Sequence, residues 1–150
     1  MLDTRLAGYW SDEDLYQGAM EAAGIAFRPD GNGWAYWSRD GGTFFVLRFG
    51  WHTTHGHRLA LDLREQLSGT WDLEGRTARH RVTSQAACAT KIALAYEIHP
   101  GEDALGRPAT LLEASQPIRP GTIGDRFAFK RELAEDEQDP AARNRYRQLR

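Results

Sequence analysis

The period of the side-chain pattern constrains this chain more than any other feature. Apolar and polar residues alternate every second position over most of the length, and glycine-, proline- and asparagine-rich turns interrupt them at short intervals. Residues i, i+2 and i+4 of a strand share one face, so this alternation specifies sheets with one covered face. Ile25 and Phe27 alternate with Ala26 and Arg28, then Pro29-Asp30-Gly31-Asn32-Gly33 makes a dense turn. Residues 34–39 form a second strand, and Asp40-Gly41-Gly42 a second turn. Residues 43–52 form a long strand with Phe45, Leu47, Phe49 and Trp51 on one face and Phe44, Val46, Arg48, Gly50 and His52 on the other.

After Thr53-Thr54-His55-Gly56, Leu59, Leu61 and Leu63 alternate with Arg58, Asp62 and Arg64, and residues 67–73 continue that strand or form another. Residues 78–84 alternate more weakly, 85–89 read as a bulge or a short helical turn, and Ile92, Leu94, Tyr96 and Ile98 alternate cleanly again. Residues 109–114 and 126–131 are the last two strands, separated by Pro117, Pro120 and Gly121. Helix signals are few. Ser11, followed by acidic residues, suits the N-cap of a short helical turn within 11–23. Asp139-Pro140 suits the start of a helix in the polar tail. The fold class is all-β: an antiparallel meander closed into an eight- to nine-stranded barrel over residues 1–133, with a charged C-terminal tail over 134–150.

Composition narrows the function. A chain of 150 residues holds one domain. No run of eighteen apolar residues exists, which argues against a membrane helix, and the N-terminus shows no secretion signal. Cys88 is alone, so no disulfide forms within the chain, and a reducing cytoplasm is the expected compartment. A net charge of -2 gives no field for nucleic acid. The cations are lopsided, 17 Arg against Lys91 and Lys130, and they are spread along the whole chain, which reads as the codon bias of a GC-rich bacterium. Phosphate-loop, dinucleotide, Gly-x-Ser-x-Gly and Cys-x-x-Cys motifs are missing. The trio Asp12-Glu13-Asp14 lacks the spacing of a calcium loop.

The opening Leu6-Ala7-Gly8-Tyr9-Trp10 resembles the Gly-x-Trp start of the lipocalins and their calycin relatives, and 25–33 looks like the second-strand hairpin of small bacterial lipocalin-like domains. The resemblance spans about residues 6–132 and rests on short motifs. It implies a barrel whose Trp10 begins the first strand and plugs one end, with Arg126 or Arg131 packed across that ring. The chain departs from many secreted lipocalins in having neither a disulfide framework nor a leader, and the residues after Trp10 are too polar for a long first strand.

Several constellations are chemical candidates. His52, His55 and His57 suit a zinc, copper or nickel site if 53–56 is the loop and His52 faces His57, although a wet polar turn explains them as well. His80 is a core imidazole or a proton shuttle, with Tyr96 beside it. Glu113 is a buried acid needing a partner if it points inward with Leu111, and a solvated one if Leu112 points inward. Trp34, Tyr36, Trp37 and Phe44 cluster on two hairpins, with Trp34 and Tyr36 expected in the core and Trp37 outside, where it suits a dimer contact. Small residues at Gly69, Ala78 and Ser84 leave room inside an otherwise bulky barrel.

The leading reading is a barrel that binds a small, partly apolar ligand, with Tyr36, Phe45, Phe49, Trp51, Trp71, His80, Tyr96 and Glu113 as the pocket. It needs no cofactor, nucleic acid or membrane, and fits a monomer or a homodimer. One alternative is a filled barrel acting as a protein-interaction module. Another is an enzyme for isomerisation or cyclisation, with His80 or Glu113 as the single acid or base.

Overall fold

The computed structural model describes residues 2–16 and 18–142. It is an eight-stranded antiparallel meander closed into a barrel, each strand pairing with the next and the last with the first. The strands are β1 Gly8–Ser11, β2 Glu21–Phe27, β3 Asn32–Arg39, β4 Thr43–Thr54, β5 Arg58–Glu74, β6 Thr77–Glu102, β7 Pro108–Ala114 and β8 Arg126–Arg131. Closure leaves β1 and β8 without free edges. The sequence-expected pieces 58–64 and 67–73 are the single strand β5. The pieces 78–84 and 92–98 are both part of β6, with a bulge inside 85–89 rather than a helical turn.

Phe45, Leu47, Phe49 and Trp51 of β4 point inward as their alternation requires, facing Leu59, Leu61 and Leu63. Burying such side chains stabilises a fold by about 1.5–3 kcal/mol each. A second apolar cluster covers the outer wall: Ala26, Trp34, Phe44, Val46, Leu67 and Val82, overlaid by Leu133 and Ala141 of the C-terminal segment. That segment is pinned by Asp139, which accepts from Arg48 Nε at 2.7 Å and Nη2 at 3.1 Å. The proposed tail helix beyond residue 142 lies outside the described residues.

The two barrel ends differ. At the narrow end a 3-10 turn, Thr4–Leu6, seals the opening. Trp10, 1 % exposed, donates from Nε1 to the Leu6 carbonyl at 2.9 Å. The short helical turn therefore precedes Trp10. The described residues after Ser11 form irregular turns, because Asp12 spends its carboxylate on the Ala23 N–H and so ties the loop to β2 instead of starting a helix. Neither arginine packs on Trp10. Arg131 stacks on the Tyr9 ring at 5.2 Å and binds Glu137, while Arg126 binds Glu113. Trp10 meets Phe129 edge-on instead, with centroids 5.3 Å apart.

β6 is long and exposed. Up to Leu94 it pairs with β5 alone among the described residues, and β7 joins it only from Tyr96 onward. Two register shifts interrupt the β5–β6 ladder. Cys88 and Ala89 together oppose Arg64, and Thr83 is an extra residue opposite the step from Ser68 to Gly69.

Candidate functional site at the wide end of the barrel

The wide end is closed by the β7–β8 loop, and its turn residues explain its shape. Arg119 and Ile123 exchange backbone hydrogen bonds at 2.9 Å, and Gly121 between them has φ +86°, which a side chain would strain. This small hairpin pushes Ile118 and Ile123 into the barrel interior, where both are buried. Its base is fastened to β6 by Ser115 N–H to the Ala95 carbonyl at 2.8 Å and by Ala95 N–H to Ser115 Oγ at 3.0 Å. Arg119 is thereby carried over Phe45, its guanidinium carbon 3.9 Å from the ring centroid. Such stacking stabilises by about 0.5–2 kcal/mol and leaves the charge in place. Among the described residues the Arg119 side chain donates only to Thr122 Oγ1, at 3.2 Å.

Beneath Arg119 lies a cleft of about 310 Å³, lined by Phe45, Gln66, Ser68, Ser84, Ala86 and Arg119 among others. Register explains its polarity. Phe45 pairs with Ser68 and Ser68 with Ser84, while Leu47 pairs with Gln66 and Gln66 with Ala86. Cross-strand partners share a face, so these polar and small side chains continue the barrel's inner row above the apolar core. Beside Phe45, across β3, stands Trp37, which packs against the interior cluster. Its Nε1 is buried and has no hydrogen-bond partner among the described residues, an arrangement that costs about 1–3 kcal/mol.

The eight sequence-proposed pocket residues do not converge. Phe45 lines the cleft, Phe49 is fully buried below it, and Trp51 and Tyr96 belong to the lower interior. Trp51 Nε1 donates to the Arg28 and Asn32 carbonyls, and Tyr96 donates to Asp3 Oδ2 at 2.7 Å. Tyr36, Trp71 and His80 lie on the outer wall. The three-residue turn after Arg39 pairs Arg39 with Thr43, which keeps odd with odd and sets Trp37 inside beside Phe45 and Tyr36 outside beside Val46. Trp34 is outside for the same reason, so the expected inside and outside aromatics of β3 are exchanged.

Tyr36 Oη and His80 Nε2 share a hydrogen bond of 2.8 Å, with the imidazole edge-on to Phe44. Burial pushes the His80 pKa down and the Tyr36 pKa up. The pair is a neutral outer-wall contact, with Trp71 tied to the Thr43 carbonyl on the same face. Glu113 is solvated, its side chain 40 % exposed on the outside between His99 and Arg126, because Leu112 is the residue that points inward. Gly69 faces the outer wall against Phe44, and Ala78 lies near the β5–β6 tip. Of the three small residues proposed to make room, Ser84 does so.

The histidines do not form a metal cage. β4 runs on to Thr54 and the turn is His55-Gly56-His57, so His52 pairs with Ala60 rather than His57. His57 adopts φ 53° and its ring lies 5.8 Å from Tyr96. Among the described residues no group of three potential ligands surrounds a metal position.

Sequence reasoning missed Arg119 and Gln66, and it set Trp37 on the outer face rather than against the interior cluster. Pro117, Pro120 and Gly121 announced the turn that carries Arg119, but no periodicity reveals where a loop folds back. Among the described residues no helix is long and apolar enough to cross a membrane. No protein-family model matches the chain, and no curated protein matches it either.

Proposed function

We propose that the protein binds a small, partly apolar molecule at the wide end of its barrel, in the manner the lipocalin resemblance implies. The asymmetry of the two ends carries this reading. The narrow end is plugged by Leu6 and Trp10, whereas the wide end holds a cleft whose inner-row residues Ser84 and Ala86 remain exposed. Such a cleft offers an apolar floor at Phe45 and polar groups around it, the usual make-up of a ligand site. The bulky row from Leu47 to Trp51 fills the lower barrel and limits the ligand to the upper part.

Ligand-observed NMR with a panel of small amphiphiles tests this. Ser84→Trp fills the cleft from an exposed position and leaves the buried core untouched. Saturable binding by the natural chain, lost in that variant, supports the reading. A panel without a saturable member, or binding that survives Ser84→Trp, overturns it.

A further inference from the structure

Resting on that reading, we infer that residues 118–124 are a lid: they lift as one piece from the wide end, and the apolar body of the ligand takes the place that Ile118 and Ile123 vacate. The first observation is where those two side chains come from. Among the described residues, the buried members of the interior cluster stand on barrel strands, with three exceptions. Leu6 belongs to the 3-10 turn, and its carbonyl is tied to Trp10. Ile118 and Ile123 belong to the β7–β8 loop, at the end that holds the cleft, and Arg119 of the same loop lines that cleft. Fillers on strands are fixed by the ladder, so these two are the ones the barrel can release.

The second observation is how the loop is held. Its hydrogen bonds close on themselves: Ile118 N–H donates to the Gly124 carbonyl at 3.1 Å, Arg119 and Ile123 pair, and Arg119 Nη1 donates to Thr122 Oγ1. Among the described residues, none of 116–124 hydrogen-bonds to a strand. Both legs, Ser115-Gln116-Pro117 and Gly124-Asp125, are exposed, and a side chain added at Gly124 would meet nothing within 4 Å. The Ser115–Ala95 contacts at the base are the hinge. What holds the lid down is the burial of two isoleucines and the stack of Arg119 on Phe45, neither of which is a hydrogen bond. The piece therefore leaves with its own hydrogen bonds intact, as a local opening far smaller than unfolding of the barrel. Lifting also takes Arg119 off Phe45, which joins the vacated space to the cleft of about 310 Å³.

The chain holds one thiol, Cys88, so a Cys88→Ser background makes any new thiol unique. In that background Ile123→Cys and Ile118→Cys each place a thiol under the lid, and Leu61→Cys places one on a strand in the same buried cluster. Labelling by methyl methanethiosulfonate should be at least about a hundredfold faster at either lid position than at Leu61, because local opening suffices there. Low urea should speed labelling of Leu61→Cys and leave the lid rates nearly unchanged, since lifting exposes little surface. Adding 1-octanol should raise the lid rates further, as the bound molecule holds the lid off. If one lid variant fails to fold, the other reads the same rate. Equal rates at all three positions, or lid rates that follow urea as Leu61→Cys does, would show that only unfolding frees these side chains; the inference would fall and ligand binding would stand. Lid rates that ignore octanol would overturn it as well, while the amphiphile panel with Ser84→Trp decides the broader reading separately.

Discussion

At the scale of single residues, the narrow end depends on polar atoms placed inside an apolar plug. Trp10→Phe removes the donor to the Leu6 carbonyl and part of a fully buried ring. A loss of about 2–4 kcal/mol should appear in chemical denaturation. Asp3 behaves differently. The hydrogen bond from Arg5, helped by Tyr96, holds its carboxyl at about 2 against an ordinary 3.8. The folded state thus binds this proton less readily than the unfolded chain. Its contribution is complete above about pH 4 and disappears as pH falls toward 2. Asp3→Asn should flatten the stability curve over that acid window, as read by thermal melts at stepped pH. None of this was visible in the sequence, where Asp3 and Tyr96 stand far apart and only the fold joins them. The Gly8-Tyr9-Trp10 motif did place the plug. It did so because Gly8 has φ +133° and a side chain there would strike Phe129, constraints a reader of the motif sees only as a glycine.

At the scale of elements, alternation set the inward faces of β4 and β5 correctly because both are long and amphipathic. It misplaced the aromatics of β3, where both faces are apolar: Trp34 and Tyr36 meet the tail-covered wall while Ala35 and Trp37 meet the interior. A two-sided apolar strand has no phase of its own, and the length of the neighbouring turn decides it. The wall is covered because Arg48 holds the C-terminal segment. Burial alone would lower the Arg48 pKa, but the carboxylates of Asp139 and Glu65 outweigh that and raise it. Asp139→Ala leaves Arg48, 14 % exposed, facing an apolar surface with one acid fewer. We expect a loss of about 3 kcal/mol and faster amide exchange over Trp34, Val46 and Leu67. The double variant Arg48→Met with Asp139→Leu should recover most of that loss. If the single variant leaves both stability and exchange unchanged, the clasp is not what seals the wall.

At the scale of the whole molecule, the barrel is pH-sensitive in alkali through two buried phenols. Burial is the main cause that pushes Tyr9 and Tyr96 up to about 12. The folded state keeps these protons longer than the unfolded chain. Stability is therefore full below about pH 10 and drains away as pH climbs to 12. Tyrosinate absorbance should rise for these two in step with loss of far-ultraviolet strand signal, whereas ionisation well before unfolding would show them to be solvated.

The two misfits in the β5–β6 ladder have a consequence for life in a crowded solution. From Thr77 to Leu94 the outer side of β6 shows its backbone to the surroundings among the described residues, and the stretch from Val82 to Thr90 carries no charge or proline to discourage company. The extra residues at Thr83 and at Cys88–Ala89 throw the spacing of donors and acceptors out of step, so an extended neighbour matching the first few rungs falls out of line at the next. Excising Thr83 and Ala89 together should straighten this border and make the chain form thioflavin-positive fibres. A clear solution after long incubation would show that some other guard keeps the border unattended.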